Sequence, residues 1–116
     1  MEIGLIRNIF LYLLCIINIE VTVTAYTPTV GETDDTPYIT ASNTRVRNGI
    51  VAISRDIEKK YNLKFGDKIH LEGIGTFEYQ DRMHSRWKKR VDIFMYSNKK
   101  ARQFGKRQTI LKIRRR

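Results

Sequence analysis

The chain has 116 residues, 41% of them hydrophobic, which is enough for one domain with a modest core and too short for two. Its formal charge of +10 is uneven: between Arg82 and Arg116 there are fourteen Lys and Arg residues against one acid, Asp92. Such a half excludes a polycationic partner and suits a polyanionic one, whether nucleic acid, anionic lipid or cell-wall phosphate polymer, unless it is simply a solvated basic surface.

The N-terminal segment carries an unbroken apolar run from Ile9 to Ile17, preceded by Arg7 and ended by Asn18 and Glu20. As a helix this run covers about 14 Å, roughly half of a bilayer core, so it does not predict a transmembrane span. Its length is typical of a secretory signal, which favours secretion or a location in the cell envelope. The alternative is a buried first strand or helix of the domain. We assign residues 1–19 to a signal peptide or short apolar anchor.

Six short strands are predicted in the rest of the chain, separated by turn-forming residues. Apolar or β-branched runs place them at residues 21–26, 49–54, in the two halves of 68–80, at 90–96 and at 108–113. Short helices are expected at Ile57–Asn62, capped by Asp56, and at Ser97–Phe104, capped by its serine and closed by Gly105. This content predicts a mainly β fold, a small closed barrel spanning residues 20–113 with a basic tail at 114–116.

Three aspartates occupy unusual positions for so basic a chain. Asp56 follows an apolar strand, Asp81 ends another, and Asp92 lies inside a third, between Val91 and Ile93. If Val91 and Ile93 face the core, Asp92 points away from it, into solvent or a groove. Asp56 has an alternative role as a helix cap and Asp81 as the start of a turn, whereas aspartate is a poor strand former. Together the three favour a shared acid–base site over incidental surface acids.

Metal chemistry is not indicated by the sequence. The single cysteine, Cys15, provides neither an intrachain disulfide nor a thiolate metal site. The two histidines, His70 and His84, lie fourteen residues apart without cysteine nearby, and ordinary polar surface residues explain them better than a zinc site. We therefore assign no metal and no other cofactor.

The motifs around the aspartates resemble those of the three-aspartate (3D) domain family. They read AISRD (Ala52–Asp56), QDR (Gln80–Arg82) and RVDIFM (Arg90–Met95), after VTAYTP and DDTPYITAS upstream, and the last two aspartates lie eleven positions apart. The likeness runs from about Val21 to Ile113. Membrane-bound lytic transglycosylase A and the stationary-phase survival proteins of spore-forming bacteria contain this domain. The resemblance implies an RlpA-like, six-stranded double-psi β-barrel.

For function, the resemblance implies cleavage of peptidoglycan glycan strands without water. One carboxyl protonates the glycosidic oxygen and then, as a base, takes the proton of the sugar's C6 hydroxyl, leaving a 1,6-anhydro ring, whereas ordinary glycosidases use paired carboxylates. By position Asp92 is this acid and base, and Asp81 and Asp56 orient it, raise its pKa and bind sugar hydroxyls. The expected substrate-binding residues are Tyr26, Thr40, Trp87 and Arg90.

The chain departs from the family pattern after the second aspartate. Members of the family often carry the glycine-rich stretch DTGGAIKGN there, whereas residues 81–89 read DRMHSRWKK. The cations suit wall phosphate, but they also lower the pKa of an acid or fill the groove. A non-catalytic, expansin-like polysaccharide-binding barrel is therefore the alternative. A cytoplasmic nucleic-acid binder is a third, and it explains neither the signal-like start nor the aspartate spacing. We expect a monomer whose partners are peptidoglycan strands and anionic wall polymers.

Overall fold

A computed structural model describes residues 16–27 and 39–114 of the chain. The strands are β1 (Ile16–Tyr26), β2 (Ile50–Ile53), β3 (Lys68–Leu71), β4 (Gly75–Arg82), β5 (Arg90–Phe94) and β6 (Arg107–Arg114). Helix α1 (Arg55–Tyr61) follows β2, and helix α2 (Asn98–Phe104) follows β5. The predicted signal segment before Ile16, most of the turn-rich loop after β1 and the end of the basic tail lie outside the described residues. Neither described helix has the length and apolar character needed to cross a membrane.

The six strands close into a barrel in the order β1-β5-β2-β4-β3-β6. The pairs β1–β5 and β2–β4 are parallel, and the other four pairs are antiparallel. Each described strand therefore has two neighbours, so the backbone hydrogen-bonding groups that an edge strand would expose are paired. The prediction of a mainly β, small closed six-stranded barrel with two short helices is confirmed.

Alternation along the strands fills the barrel interior. Val91 and Ile93 of β5 are 0% and 3% exposed and belong to the interior cluster, so Asp92 between them points outward as predicted. Tyr79 of β4 is fully buried, and its hydroxyl hydrogen-bonds to Glu58 of α1. Arg82 forms a salt bridge with the same carboxylate at 2.9 Å. These contacts hold α1 against the barrel.

The first strand begins inside the segment that was assigned to a signal peptide. Ile17 pairs with Ile113 of β6 and packs against the interior cluster, and Ile19 is itself buried in that cluster. Residues 16–19 therefore form the beginning of β1. The barrel starts four residues before the predicted boundary at residue 20 because the apolar end of the run supplies core side chains.

The helix ends correct one predicted cap and confirm another. Helix α1 begins directly after β2, with Ser54 in extended conformation (φ −64°, ψ 146°) at its N-cap, so Asp56 lies inside the first turn and does not cap it. The helix was therefore predicted two residues too late. In α2, by contrast, the Ser97 side chain accepts a hydrogen bond from the Lys100 amide at 3.2 Å, and Gly105 (φ 65°) ends the helix.

A register shift in β4 determines where Asp81 points. In the parallel β2–β4 pair Val51 lies opposite Tyr79, but Ala52 lies opposite Asp81, which leaves Gln80 as an extra residue. Because Tyr79 faces the interior, strict alternation would also turn Asp81 inward. The extra residue places Asp81 on the outer face beside Ala52 instead, as β-bulges commonly do when they redirect a side chain.

Candidate active site

Four adjacent strands bring polar side chains to one level of the barrel's outer face. Ala52 of β2 pairs with Asp92 of β5 on one side and with Asp81 of β4 on the other, and Asp92 also pairs with Thr24 of β1. Residues that pair across strands share a face of the sheet. Since neighbouring strands lie about 4.8 Å apart, the backbones of the two aspartates are about 10 Å apart with only a methyl group between them. We call Thr24, Asp92, Ala52 and Asp81 the carboxylate row.

Asp92, between Thr24 and Ala52 in the row, is a partly buried carboxyl. Its Oδ1 accepts a hydrogen bond from the Thr24 hydroxyl at 3.0 Å. Burial raises the pKa of Asp92 to about 6 against the lowering effects of Thr24 and the Arg90 guanidinium, and the charge of Asp81 adds to the rise. A carboxyl group with this pKa is populated in both protonation states near neutral pH, so it can donate a proton and take one back.

Asp81 is held in one orientation by three donors. Its Oδ1 accepts hydrogen bonds from the backbone amides of Ala41 at 2.8 Å and Arg82 at 2.9 Å, and its Oδ2 accepts one from the Tyr26 hydroxyl at 3.3 Å. Ala41 lies in a turn closed by a bridge between Ile39 and Arg45. The second carboxylate is therefore fixed by a loop, its own strand and the end of β1.

Tyr26 contacts the carboxylate row through its hydroxyl, whereas its ring is packed against other side chains. Its ring packs edge-on against Phe94, with centroids 5.6 Å apart, beside a small apolar cluster outside the barrel that contains Val46 and Ile50. Burial, followed by the negative charges of Asp81 and Asp92, raises the pKa of Tyr26, so the hydroxyl stays a neutral donor. Tyr26, one of the expected substrate-binding residues, therefore occupies a packed position beside Asp81.

Asp56, the third predicted catalytic residue, is engaged at the start of α1. Its Oδ2 accepts a hydrogen bond from the backbone amide of Lys89 at 3.0 Å, in the turn that precedes β5. Burial raises the pKa of Asp56. The hydrogen bonds from the Ser54 side chain and the Lys89 amide outweigh that effect, so the pKa lies below its ordinary value. Among the described residues, Asp56 shares no hydrogen bond with Asp81 or Asp92. The structure thus brings two of the three aspartates together and uses the third to join a helix to a turn.

Thr40 is enclosed by the loop that orients Asp81. It is 5% exposed, and its hydroxyl hydrogen-bonds to the hydroxyls of Ser42 and Thr44, both at 2.9 Å. This network shapes the turn that presents the Ala41 amide to Asp81. Thr40 is therefore connected to Asp81 through the backbone of this turn.

Trp87 and Arg90 lie together beside the row. The guanidinium of Arg90 is 4.2 Å from the centre of the Trp87 ring, and that of Arg86 is 5.0 Å from it. Arg90 precedes Asp92 by two residues on β5, which places it on the same face of the strand. The tryptophan ring is thus covered by cations that border the acid.

Thr24, Ala41 and Ala52 complete the site and were not singled out from the sequence. Thr24 lies 68 positions before its partner Asp92, and Ala41 lies 40 positions before Asp81. Only the strand pairing reveals these contacts, because nothing local marks a threonine or an alanine as part of a site. Within the described part of the chain, no group of three His, Cys, Asp or Glu side chains is arranged to hold a metal ion.

Comparison of the chain with protein-family models and with curated proteins gave no match. The functional inference below therefore rests on the carboxylate row and on the motifs that form it.

Proposed function

We propose that this protein is a lytic transglycosylase that cleaves the glycan strands of peptidoglycan. The observation that carries the proposal is Asp92, a partly buried carboxyl on the outer face with its pKa raised to about 6 beside a second carboxylate. The resemblance of the surrounding motifs to the 3D domain supplies the substrate and the reaction. The two parallel strand pairs, β1–β5 and β2–β4, are compatible with the double-psi connectivity that the resemblance implies.

In the proposed reaction Asp92 acts first as an acid and then as a base. Its proton passes to the glycosidic oxygen as the bond from that oxygen to the anomeric carbon breaks, and the leaving sugar takes the hydrogen with it. The C6 hydroxyl oxygen of the remaining muramic acid sugar then bonds to the anomeric carbon and gives its proton to the Asp92 carboxylate. The product is a 1,6-anhydro ring, no water is consumed and Asp92 ends protonated as it began.

Asp81 stabilises the positive charge that develops at the anomeric carbon during this step. Carboxylates flank the oxocarbenium-like transition state of glycoside cleavage in general. The donors on Asp81, from Tyr26 and the Ala41 amide, fix its orientation before substrate arrives, so little reorganisation is needed during the reaction. Ala52 places only a single methyl group between the two acids.

Export to the wall is part of the proposal, and the barrel restricts it. Residues 17 and 19 pack in the barrel, so removal of a signal peptide after residue 19 would take core side chains of β1 with it. Any cleavage compatible with the barrel lies before Ile16. The N-terminal sequence of the protein recovered from culture medium or envelope fractions tests this point directly.

The deciding experiment is digestion of purified wall sacculi followed by mass spectrometry of the soluble fragments. We expect 1,6-anhydromuropeptides from the wild-type protein and none above background from Asp92→Asn. Fragments with reducing ends would show hydrolysis and reject the single-carboxyl scheme. Retention on sacculi without any release of fragments would reject catalysis and favour the expansin-like binding function.

A further inference from the structure

Tyr96 is an exposed aromatic ring that is held in place. It is 59% exposed, yet its hydroxyl donates a hydrogen bond to the Val46 carbonyl oxygen at 3.3 Å. Its ring packs edge-on against Phe94, with centroids 4.7 Å apart, and Phe94 is itself 2% exposed. An aromatic side chain fixed in this way loses little conformational freedom when a ligand covers it. It offers an apolar surface with a polar end, which suits the C–H face of a sugar ring.

On the other side of Asp92 from Tyr96, the side chains are cationic and not apolar. Arg90 stacks on Trp87, with Arg86 on the same ring, and the exposed residues Lys88 and Lys89 lie between them in sequence. Within residues 16–27 and 39–114, none of these four cations forms an ion pair, whereas Arg82 is paired with Glu58. A guanidinium held on an aromatic ring is pre-organised for a carboxylate or phosphate.

Both features lie on one line with the acid. Arg90, Asp92 and Phe94 alternate with the interior residues of β5, so they share its outer face, and Tyr96 contacts Phe94 just beyond the strand. At about 3.4 Å per residue, Arg90 and Phe94 lie about 7 Å from Asp92 in opposite directions along β5, and Tyr96 packs against Phe94 beyond the end of the strand. The proton donor therefore stands between a cationic end and an aromatic end.

We propose that a glycan strand binds along β5 in one fixed direction, with a neutral sugar on Tyr96 and an oxyanion-bearing sugar at Arg90. This inference rests on the proposed function and narrows it, because it defines the substrate as a strand with an acidic group on one side of the cleaved bond. The oxyanion is a sugar carboxylate or a phosphate attached to the strand, since a guanidinium accepts either in bidentate geometry.

Binding by an Asp92→Asn protein, which leaves the ligand intact, tests the proposal. The probes are chitotetraose, a neutral N-acetylglucosamine tetramer, soluble peptidoglycan glycan strands, which carry carboxylates, and poly(glycerol phosphate). In this background Tyr96→Ala should weaken both glycan probes about fivefold, the effect of one lost aromatic contact, while Tyr96→Phe keeps their affinity within about twofold. Arg90→Gln should weaken an acidic probe by a similar factor, reduce its salt dependence and leave chitotetraose unchanged.

Arg102→Gln, an exposed arginine of α2, is the control with the same change in net charge. The proposal is overturned if it weakens the acidic probes as much as Arg90→Gln, if Arg90→Gln also weakens chitotetraose, if Tyr96→Ala binds like its parent, or if the parent binds no glycan probe. The acidic probe that responds to Arg90→Gln identifies the oxyanion. Cleavage of sacculi by the wild type with unchanged binding in both variants rejects this binding direction alone. Selective binding without cleavage rejects the lyase and retains the direction.

Discussion

Asp92 and Asp56 are the same residue type in two contrasting parts of the molecule. Asp92 lies on a strand, where burial raises its pKa to about 6, and its main donor is the hydroxyl of Thr24. Asp56 lies in the first turn of a helix, where the Ser54 side chain and the Lys89 amide outweigh burial and lower its pKa. The fold therefore disfavours the charged form of one carboxyl and favours the charged form of the other.

Under the proposed function, this difference in pKa distinguishes a proton carrier, Asp92, from a structural anion, Asp56. A group that is to give and recover a proton near neutral pH needs a pKa in that range, and such groups collect where burial and like charges act together. A carboxylate at a helix start stabilises the fold by staying charged, because it complements the helix dipole. Motif position alone placed both residues in the catalytic set, and from their different environments we expect different roles for them.

The largest expected effect is on turnover in Asp92→Asn. An amide cannot donate the proton or take it back, so cleavage of sacculi should fall by ~10²–10⁴-fold, while Asp56→Asn should keep most of the activity of the protein that remains folded. Release of 1,6-anhydromuropeptides per mole of folded protein measures both. Glu72→Gln is the matched control, since Glu72 is exposed and its only ion pair among the described residues is a 3.7 Å contact to Lys112. Equal losses of turnover in Asp92→Asn and Asp56→Asn would contradict the different roles expected for the two aspartates.

Asp81→Asn should have the next largest effect, about a tenfold loss of turnover, because the variant loses a charge opposite the developing cation but keeps Asp92. The pH profile provides a second reading. The charge of Asp81 contributes to the raised pKa of Asp92, so its removal should move the alkaline limb of the profile to lower pH. An unchanged limb would show that the two carboxyls do not interact.

Ala52→Val tests whether substrate binds between Asp81 and Asp92. The added methyl groups would occupy the space between Asp81 and Asp92, so we expect a several-fold rise in KM with a smaller change in kcat. Since Ala52 is 5% exposed, overpacking should also cost about 1–2 kcal/mol of stability. Ala52→Ser, which adds a single heavy atom, should have a KM and a stability between those of the wild type and Ala52→Val. Unaltered kinetics in a folded Ala52→Val protein would mean that substrate does not enter between the acids.

The remaining effects are on stability, and they have opposite signs. Because the pKa of Asp92 is raised on folding, its contribution to stability is present below the ordinary value of 3.8 and is lost as pH rises through about 6. Asp92→Asn should therefore be more stable than the wild type at pH 8, by up to roughly 2–3 kcal/mol for a shift of about two pKa units, and lose that advantage near pH 4. The wild type and the variant, unfolded by heat across this range, provide the comparison.

Asp56 should behave in the reverse way. Its pKa is lowered on folding, so its contribution is present above the ordinary value and lost as pH falls through the lower, folded value. At pH 7 Asp56→Asn should lower the free energy of unfolding by about 1 kcal/mol, the usual worth of such a hydrogen bond, and the difference should shrink in acid. A gain in stability at pH 7 would contradict the structural role.

Local patterns were sufficient to predict most of the barrel. The alternation around Val91 and Ile93 correctly predicted that Asp92 points outward. Ser97 and Gly105 were also correctly predicted as the two ends of α2. The first strand was predicted too short, since an apolar run that ends in Ile16 and Ile17 fits a secretory signal as well as a core strand. The pairing with β6 places residues 16–19 in β1.

The site was harder to predict because it depends on pairing between distant segments. The extra residue at Gln80 has no signature of its own, yet it determines the face on which Asp81 lies. Asp56 was predicted as the N-cap of α1, and aspartate and serine both suit that position. Because β2 ends at Ile53, the N-cap is Ser54. Tyr26 lies 55 positions before Asp81, and the strand order brings its hydroxyl close enough to donate a hydrogen bond to that carboxylate.

The most direct test of the account is a pH titration of the aspartate carboxyl carbons in the folded protein by NMR, assigned with the Asp92→Asn and Asp56→Asn variants. The account predicts that Asp92 titrates near pH 6 and that Asp56 titrates below its ordinary value of 3.8, within one folded species. Titration of Asp92 at or below pH 4, or of Asp56 above Asp92, would contradict the claim that the strand carboxyl is the proton carrier.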